Sequence, residues 1–361
     1  MKLFFDARWT RTDYHDGISR YTSGLLEGFM RQNLPVTALI CDIKQLELLP
    51  KGVPYLLLNH PVSPKEPFIA RKLNKAGADA VFSPLQVMGF WGRKYKLILT
   101  LQDIIYYRHP KPPTNLPWYV RTAWRLFHMA RWPQRLLLNR ADYVTTVSHT
   151  SKRFIEEMGL TKNEIGVIYN ATSTAIASNE VAPKEERTKN ILYMGSFMPY
   201  KNTETLIRAM EHLSHDYTLH LLSKISPQRK NELQALIPEK AQVVFHNGIS
   251  EAAYAQLLMN AHCLATASKE EGFGLPIAEA QTYGTPVVCS DMDIFHEVAG
   301  EGALYCNPDE PKEFASAIES LAQEDARTAL IEKGRAHTAQ FNWEYSAREI
   351  WSISEELVKK S

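Results

Sequence analysis

Short apolar runs alternate with amphipathic stretches through the second half of the chain, and this alternation restricts the fold more than any other feature of the sequence. The segment 202–213 carries apolar residues at helical spacing, and the segment 250–260 begins with Ser250, which can cap a helix. Because strands and helices alternate, the strands must be parallel and the domain a doubly wound α/β sheet. The predicted strands are Ile191–Met194, Tyr217–Leu222, Val243–Phe245, Cys263–Ala267, Val287–Ser290 and Ala303–Tyr305.

The first half of the chain begins in the same way. Leu3–Phe5 has the composition of a buried strand, and the apolar residues between Ile18 and Phe29 recur at helical spacing. Further strands are predicted at Val36–Ile40, Leu97–Leu101 and Tyr143–Val147. Both halves therefore resemble Rossmann-type sheets.

A polar, charged segment at 178–190 separates the two halves and is interpreted as a linker. The 361 residues are too many for one typical core and suit two. We predict an α/β protein of two Rossmann-like doubly wound domains, 1–180 and 188–342, facing each other across a cleft. An amphipathic helix at 343–361, capped by Asn342, is expected to pack back on the first domain.

Charge and cysteine content exclude several classes of protein. The net charge of +1 gives no indication of nucleic-acid binding, and the four cysteines show neither CxxC spacing nor clustering with histidine, so they are interpreted as reduced thiols. The N-terminal segment has Asp6 and Arg8 where a signal peptide has its apolar core, and no run approaches the roughly 18–20 apolar residues of a membrane span. We expect a cytoplasmic protein, peripheral to the inner face of the cell membrane.

The segment 268–290 carries the strongest chemical signal. It follows a predicted buried strand with a loop that contains two glycines, then Pro276 in the first turn of a helix and Gly284 at its end. Backbone N–H groups in that first turn would point at a ligand, and a helix N-terminus favours phosphate. The sequence therefore predicts an anion site at the carboxyl edge of the second sheet.

Two carboxylates flank this turn and need not do the same work. Glu271 lies before the loop and would meet sugar hydroxyls or a developing positive charge, whereas Glu279, within the helix, would accept both hydroxyls of a ribose. The alternative is a helix-entry loop with two solvated glutamates. The combination of glycines, proline and spaced acids after a buried strand argues against that alternative.

Glu271 and Glu279 form an E-x7-E pair within EGFGLPIAEA, followed by GTPVV, and this closely resembles the signature of glycosyltransferase family 4, whose members are retaining enzymes with the GT-B fold. The resemblance covers essentially the whole chain and is stronger in its second half. Further similar motifs are MGSFMPYKN from Met194, ADYVTTVSHTSK from Ala141, VIYNATS from Val167, HDGISRY from His15 and LQDII from Leu101.

The resemblance implies that the second domain binds the sugar donor and the first binds the acceptor. It implies that Glu271 contacts the sugar near its reacting carbon and that Lys201 neutralises the diphosphate. The predicted catalytic residues are therefore Glu271, Lys201 and Asp103. Gly17 would let the backbone approach the diphosphate closely. The predicted donor-binding residues are Gly17, Gly195, Ser196, Lys201, Gly272, Phe273, Gly274, Leu275 and Glu279.

Three positions depart from the family pattern. Ser196 stands where the family usually has an arginine, and Tyr200 where some members carry that arginine instead, so one phosphate-binding cation is missing. Lys224 and Arg229 are candidates to replace it. Gln102 stands where a histidine usually precedes the aspartate, and a glutamine cannot carry a proton.

These departures leave an alternative open, a low-activity sugar-nucleotide-binding protein with the same fold. A dehydrogenase is disfavoured because no G-x-G-x-x-G follows the first strand.

The reaction implied by the resemblance is transfer of a hexose, with retention, from GDP-mannose or a UDP-sugar to a glycan or lipid-linked acceptor. The segments GISRY and KN favour GDP-mannose. No acidic pair of the DxD type stands out, so we expect no divalent metal and no cofactor. Lys201 and the N–H groups of the helix would stabilise the leaving diphosphate.

Residues 104–141 contain no acidic residue, and their arginines are interleaved with tryptophan, tyrosine and phenylalanine. This composition suits an anionic membrane surface, and we predict contact through 108–140. The alternative is a core helix whose aromatic side chains pack inward and whose arginines are solvated. Nucleic acid is disfavoured because no recognition motif accompanies the charge.

Overall fold

The protein is described by a computed structural model that covers residues 1–13, 16–108, 118, 121–122, 125, 130–172 and 188–360. The chain divides into two compact units. The first unit is drawn from Met1–Ala171 and Phe341–Ser361, and the second from Thr172–Gln340. The predicted linker at 178–190 lies largely outside the described residues.

The first unit contains a parallel sheet with the strand order β3-β2-β1-β4-β5-β6-β7. Its strands are β1 Leu3–Asp6, β2 Val36–Ile40, β3 Tyr55–Leu57, β4 Ala80–Ser83, β5 Lys96–Thr100, β6 Tyr143–Thr146 and β7 Ile165–Val167. The helices described between them are α1 Gly17–Arg31, α2 Ile69–Ala76, α3 Ile105–Arg108, α4 Arg131–Leu138 and α5 His149–Glu157.

The second unit contains a parallel sheet with the order β10-β9-β8-β11-β12-β13. Its strands are β8 Asn190–Tyr193, β9 Thr218–Leu221, β10 Gln242–Phe245, β11 Cys263–Thr266, β12 Val287–Ser290 and β13 Ala303–Cys306. Its helices are α6 Thr203–Ala209, α7 Pro227–Gln234, α8 Glu251–Asn260, α9 Leu275–Tyr283, α10 Asp293–Ala299, α11 Pro311–Ser320 and α12 Glu324–Thr338. The predicted fold class, two doubly wound α/β domains, is confirmed.

Central strands are buried along their whole length, which is typical of a parallel sheet covered on both faces. Every residue of β1, β4, β11 and β12 is buried. Their apolar side chains form a separate hydrophobic core in each unit. The apolar runs of the sequence predicted three of these four strands, β1, β11 and β12.

Strands β3, β4 and β7 were missed by the sequence analysis. Strand β3 has three residues at the edge of the sheet and is largely exposed, so it shows no buried apolar run. Strand β4 is buried and contains a short apolar run, Ala80–Phe82, which the sequence analysis overlooked. The helix predicted at 202–213 is divided into α6 and a 3-10 turn at Met210–His212.

Helix α13 (Trp343–Lys359) begins at the predicted cap, Asn342, whose side chain accepts from two backbone N–H groups. It packs against α1 of the first unit, where the ring of Trp343 lies edge-on to Tyr21. The close approach is possible because α1 carries Gly24 and Gly28 one turn apart under the indole and backbone of Trp343. Small residues at this spacing let two helix backbones approach each other.

No helix among the described residues is long and apolar enough to span a bilayer. The four cysteines are free thiols, and burial raises the pKa of Cys263 to about 12. A thiol with so high a pKa is neutral and unreactive at physiological pH.

We expect Gly28→Ala to destabilise the first unit by about 1–3 kcal/mol, the usual range for overpacking. An added Cβ would lie 2.3 Å from the carbonyl oxygen of Trp343, an atom of the backbone that cannot rotate away. The measurement is the Tm of thermal unfolding followed by far-UV circular dichroism. Gly17→Ala is the control in the same helix, because a Cβ there meets nothing within 4 Å. Equal Tm values for the two variants would contradict the packing argument.

Candidate functional site

The strand order of the second unit creates a topological switch point between β8 and β11. These strands are neighbours in the sheet, yet the chain continues from β8 to β9 on one side and from β11 to β12 on the other. In open parallel sheets, ligands bind at the carboxyl ends of the strands at such a point, because the diverging connections leave a crevice. The loops 194–202 and 267–274 follow these two strands and hold most of the predicted site.

The loop after β8 presents Lys201 at the end of a short 3-10 turn. The next residue, Asn202, has a left-handed backbone with φ 50°. Its side-chain amide donates to the carbonyl oxygen of Pro308 at 2.6 Å, and the hydroxyl of Thr205 donates to the same oxygen at 2.9 Å. These hydrogen bonds fix the backbone next to Lys201 and so the direction in which its side chain points.

The loop after β11 leads directly into α9. Gly274 has φ 98°, and a Cβ there would lie 3.0 Å from the ring of Phe295, so only glycine fits this position without strain. Helix α9 then begins at Leu275, and its N-cap residue, Gly274, has no side chain to accept from the first N–H groups. Pro276 is its second residue, and the predicted end at Gly284 is confirmed, with φ 73°. The first turn of α9 thus offers N–H groups to a ligand.

Lys201 and Glu271 meet at the switch point. Nζ of Lys201 lies 2.5 Å from Oε1 of Glu271, and each side chain is only 14% exposed. The hydroxyl of Ser268 donates to the same Oε1 at 3.0 Å. Among the residues that the structure describes, Oε2 of Glu271 accepts no hydrogen bond. One carboxylate oxygen and two ammonium protons of the pair therefore remain for a ligand.

Further contacts join the two loops and fix this pair. The N–H of Lys269 donates to the carbonyl oxygen of Tyr200 at 2.8 Å. The buried hydroxyls of Thr266 and Ser268 lie 3.2 Å apart, so Ser268 is itself positioned. The charged groups are therefore held in place without a ligand, and binding requires little reorganisation.

Two predicted residues of the loop after β8, Gly195 and Ser196, form hydrogen bonds through their backbone groups with side-chain hydroxyls. The N–H of Gly195 donates to the hydroxyl of Ser223 at 3.1 Å. The carbonyl oxygen of Ser196 accepts from the hydroxyl of Tyr193 at 2.6 Å. Burial raises the pKa of the Tyr193 phenol, so the phenol remains a donor at all physiological pH values. This part of the loop is held by the sheet beneath it.

The remaining predicted residues of the second unit lie on α9 and the turn before it. Gly272 and Phe273 are buried, whereas Leu275 and Glu279 are half-buried. Glu279 lies four residues after Leu275, so both side chains are on the same face of the helix. The two carboxylates therefore come from different elements, Glu271 from a loop and Glu279 from a helix.

Gly17 and Asp103 belong to the first unit. Gly17 is the first residue of α1, whose cap, Asp16, accepts from the N–H of Ser19 at 2.8 Å. A Cβ at Gly17 would meet no group of the described residues within 4 Å. Oδ1 of Asp103 accepts from the N–H of Ile105 at 2.9 Å and so caps the start of α3.

Gln102, which departs from the family pattern, and Arg229, a candidate for the missing cation, both donate hydrogen bonds. The amide of Gln102 donates to the carbonyl oxygen of Pro84 at 2.9 Å. Arg229 forms ion pairs with Glu204 and with Glu232, the latter at 3.0 Å. Arg229, a candidate to replace the missing arginine, therefore shares its charge with two carboxylates of the second unit.

The sequence analysis did not identify Ser268 as a site residue. Its position three residues before Glu271 was the available signal, since a short polar side chain at that distance can reach back within one turn of the loop. It also missed Asn202. The available signal was the residue type, because asparagine is one of the few residues that adopt the left-handed conformation found here.

Comparison with known proteins identifies the family. The family model described as Glycosyl transferases group 1 matches residues 176–337, and the model described as Glycosyltransferase Family 4 matches residues 15–175. The chain is 32% identical over 197 residues to the O-antigen chain mannosyltransferase RfbU of Salmonella typhimurium. That alignment covers 54% of this chain and 54% of the relative, so the chain spans about half the length of the curated relative it matches.

Solved structures share the fold at low sequence identity. The sucrose-phosphate synthase of Thermosynechococcus elongatus matches with a TM-score of 0.74 and 18% identity, over 100% of both chains. Anabaena HepE in complex with UDP-glucose matches with a TM-score of 0.67 and 19% identity, over 99% of this chain and 100% of that one. The two family models together extend from residue 15 to residue 337, and on that ground the chain belongs to glycosyltransferase family 4.

Proposed function

We propose that this chain is a retaining, metal-independent hexosyltransferase that uses a nucleotide-diphosphate sugar. The observation that carries the proposal is the Lys201–Glu271 pair beside the uncapped first turn of α9. A leaving diphosphate requires a cation and N–H donors, and an anomeric carbon that develops positive charge requires an anion. The pair supplies both kinds of charge at one switch point.

The donor is proposed to be GDP-mannose or a UDP-sugar, with its diphosphate at Lys201 and at the amides of Phe273, Gly274 and Leu275. Glu279 would accept the ribose hydroxyls. RfbU, described as a mannosyltransferase, supports mannose, whereas HepE with bound UDP-glucose supports a UDP-sugar. Since the ammonium of Lys201 and the dipole of α9 already provide positive charge, we propose that no divalent ion is needed.

Lys201→Met should raise the Kd of the preferred nucleoside diphosphate by roughly 10- to 100-fold, because the variant loses a hydrogen bond between charged groups. The measurement is calorimetric titration with GDP, UDP, GDP-mannose and UDP-glucose, in which the wild type selects one base. Lys240→Met is the matched control, because it makes the same change at an exposed lysine of the same unit. An equal loss in both variants, or no binding to the wild type at millimolar concentrations, would refute the donor site.

In the proposed reaction the sugar–phosphate bond breaks before the acceptor bond is complete. Positive charge on the sugar would then face Oε2 of Glu271, and negative charge on the diphosphate would face Lys201. The acceptor hydroxyl attacks from the face that the phosphate leaves and gives its proton to that phosphate, so the anomeric configuration is retained. Asp103 of the first unit is proposed as a further catalytic group.

Glu271→Ala should lower turnover by about 100-fold or more, because a contact formed in the transition state is lost. Affinity for the nucleoside diphosphate should be unchanged or slightly higher, since Lys201 loses its counter-ion. Steady-state kinetics and calorimetry on the same preparation separate the two effects. Glu239→Ala removes an exposed carboxylate of the same unit and serves as the control. Normal turnover in Glu271→Ala would remove this residue from the mechanism.

Ser268 is proposed to be a positioning residue that acts through Glu271. Ser268→Ala removes the hydroxyl that donates to Oε1, and we expect kcat to fall by roughly tenfold while the KM for the donor is unchanged. A merely structural role would lower the Tm and leave kcat unaffected. Ser250→Ala provides that comparison, because it removes a hydroxyl that caps α8. Equal kcat values for the two variants would contradict the positioning role.

The acceptor is proposed to be a glycan or a lipid-linked glycan, used at the cytoplasmic face of the cell membrane. RfbU is described as an O-antigen chain enzyme, which supports a polysaccharide product. Residues 108–140 lie partly outside the described residues, but Trp118 is 78% and Trp132 69% exposed. Exposed tryptophans among arginines support membrane contact over inward packing.

A binding protein of low activity is the second candidate. It is favoured by the missing cation at Ser196 together with the neutralised charge of Arg229. Such a protein would bind the nucleotide sugar in the calorimetric titration and release no nucleoside diphosphate in the presence of lipid extracts. Measurable release that depends on Glu271 excludes this candidate.

A further inference from the structure

Two histidines of the second unit share a hydrogen bond at one edge of the sheet. Nδ1 of His220, on β9, lies 2.9 Å from Nε2 of His246, the residue that follows β10. Both side chains are half-buried, and the other ring nitrogen of His220, Nε2, is buried without a partner among the described residues. This histidine pair, His220 and His246, is therefore partly shielded from water, and the donor site as proposed does not use it.

The hydrogen bond limits how many protons the histidine pair can hold. One ring nitrogen must donate and the other must accept, so the bond exists when both rings are neutral and also when one ring is protonated. When both rings are protonated, both nitrogens carry hydrogen atoms, the bond is lost and two positive charges face each other. The second proton therefore breaks the contact between His220 and His246.

The surroundings of the histidine pair make that second proton unfavourable near neutral pH. The register of the sheet places Leu192 of β8 and Val244 of β10 beside His220. Burial lowers the pKa of His220, and the charge of His246 lowers it further. The titratable residues of the neighbouring segments, which are the loop after β9 and the helix α8, are Lys224, Glu251 and Tyr254. None of these three contributes to the lowered pKa, so the pair becomes doubly charged only in acid.

The turn after β10 depends on hydrogen bonds to the loop after β9. Asn247 and Gly248 both have left-handed backbones, with φ 55° and φ 101°. The N–H of Gly248 donates to the carbonyl oxygen of Leu222 at 3.0 Å, and Oδ1 of Asn247 accepts from the N–H of Ile225 at 3.1 Å. A non-glycine residue with a positive φ persists only where surrounding contacts hold it. Because His246 directly precedes this turn, displacement of its ring acts on the backbone that makes these hydrogen bonds.

The loop after β9 also supports the loop that carries two predicted donor-binding residues, Gly195 and Ser196. Ser223 lies directly after Leu222, and its hydroxyl accepts from the N–H of Gly195 at 3.1 Å. The same hydroxyl donates to Sδ of Met194 at 3.2 Å. Contiguous contacts therefore join the histidine pair, the turn after β10, the loop after β9 and the loop after β8, which ends at the switch point.

We propose that His220 and His246 are positioning residues for the sugar donor, and that loss of their mutual hydrogen bond releases the loop of Gly195 and weakens donor binding. This inference rests on the proposed function, because it concerns the same site. When the second proton enters, the two charged rings separate and the turn after β10 loses its hydrogen bonds to the loop after β9. Ser223 then no longer holds Gly195. The donor site thus responds to acid through side chains that do not touch the donor.

The probe is GDP-mannose or UDP-glucose, whichever the wild type binds more tightly, titrated calorimetrically at about pH 7.5 and at about pH 5.5. A nucleotide sugar is used because, unlike a free nucleoside diphosphate, it has no terminal phosphate that gains a proton in this range. We expect the Kd to rise roughly tenfold at the lower pH. Equal Kd values at the two pH values would overturn this proposal and leave the proposed function intact, whereas absence of binding at both would refute the proposed function.

Variants assign the pH response to the histidine pair. His246→Gln keeps a hydrogen-bonding side chain that cannot take up a proton, so its Kd values at the two pH values should be nearly equal. His215→Gln removes an exposed histidine of the same unit and should keep the wild-type ratio of the two Kd values. Ser223→Ala cuts the connection to Gly195 and should also make the two Kd values nearly equal, and Ser223→Thr should restore the ratio. A wild-type ratio in His246→Gln would contradict the proposal.

A measurement without ligand tests the connection independently of donor binding. In nuclear magnetic resonance spectra of the full chain with isotope-labelled glycine, the amide signals of Gly195 and Gly248 should shift together as the pH falls. Their common midpoint should lie below the ordinary pKa of histidine, about 6.5. Both shifts should be absent in His246→Gln. A Gly195 signal that does not respond to pH in the wild type would overturn the proposal, whatever the donor titration shows.

Discussion

Parallel pairing of β8 with β11 brings together two segments that are separated by 70 residues in sequence, from Lys201 to Glu271. The sheet hydrogen bonds set the two carboxyl ends side by side, and the diverging connections prevent either loop from covering the other. The chemistry of the second unit is thus a consequence of strand order, and a different order of the same strands would separate the two charges.

The charged pair at that point, Lys201 and Glu271, is stabilised by the attraction between its two members. Each group is 14% exposed, so each loses much of its hydration, and the attraction between them compensates for that loss. Ser268 adds a hydrogen bond to one oxygen only. The pair therefore has no net charge, yet it presents an ammonium to one part of a ligand and a carboxylate oxygen to another. A donor that separates charge as its bond breaks matches this arrangement better as the reaction proceeds.

The sequence predicted those features that depend on local pattern. The buried strands of both sheets except β4, the end of α9 at Gly284 and the cap of α13 by Asn342 all follow from residue types within a few positions. Several of the features that it missed depend on distant partners. Strand β3 exists because β2 lies beside it, and the charge of Arg229 is neutralised by Glu204, 25 residues away. The hydrogen bond from Ser268 to Glu271 depends on the side-chain rotamer of Ser268, which the sequence does not show.

The same distinction applies to the first unit. Arg8 lies two residues after β1, where the sequence analysis used it only as an argument against a signal peptide. Its partner Glu66 is 58 residues away, and no local pattern links the two. Glu66 also lines an apolar pocket whose walls come from the loops after β1, β3 and β4, and no local sequence pattern shows such a pocket.

The packing of α13 on α1 has a consequence for the order of events during synthesis. The second unit, Thr172–Gln340, is translated entirely between the two parts of the first. Domains generally fold as units while the chain emerges. Here the unit that starts first is completed last: until Trp343 emerges, the surface of α1 around Gly24 and Gly28 has no helix to cover it. The nascent first unit must therefore remain incomplete while a whole second domain forms behind it.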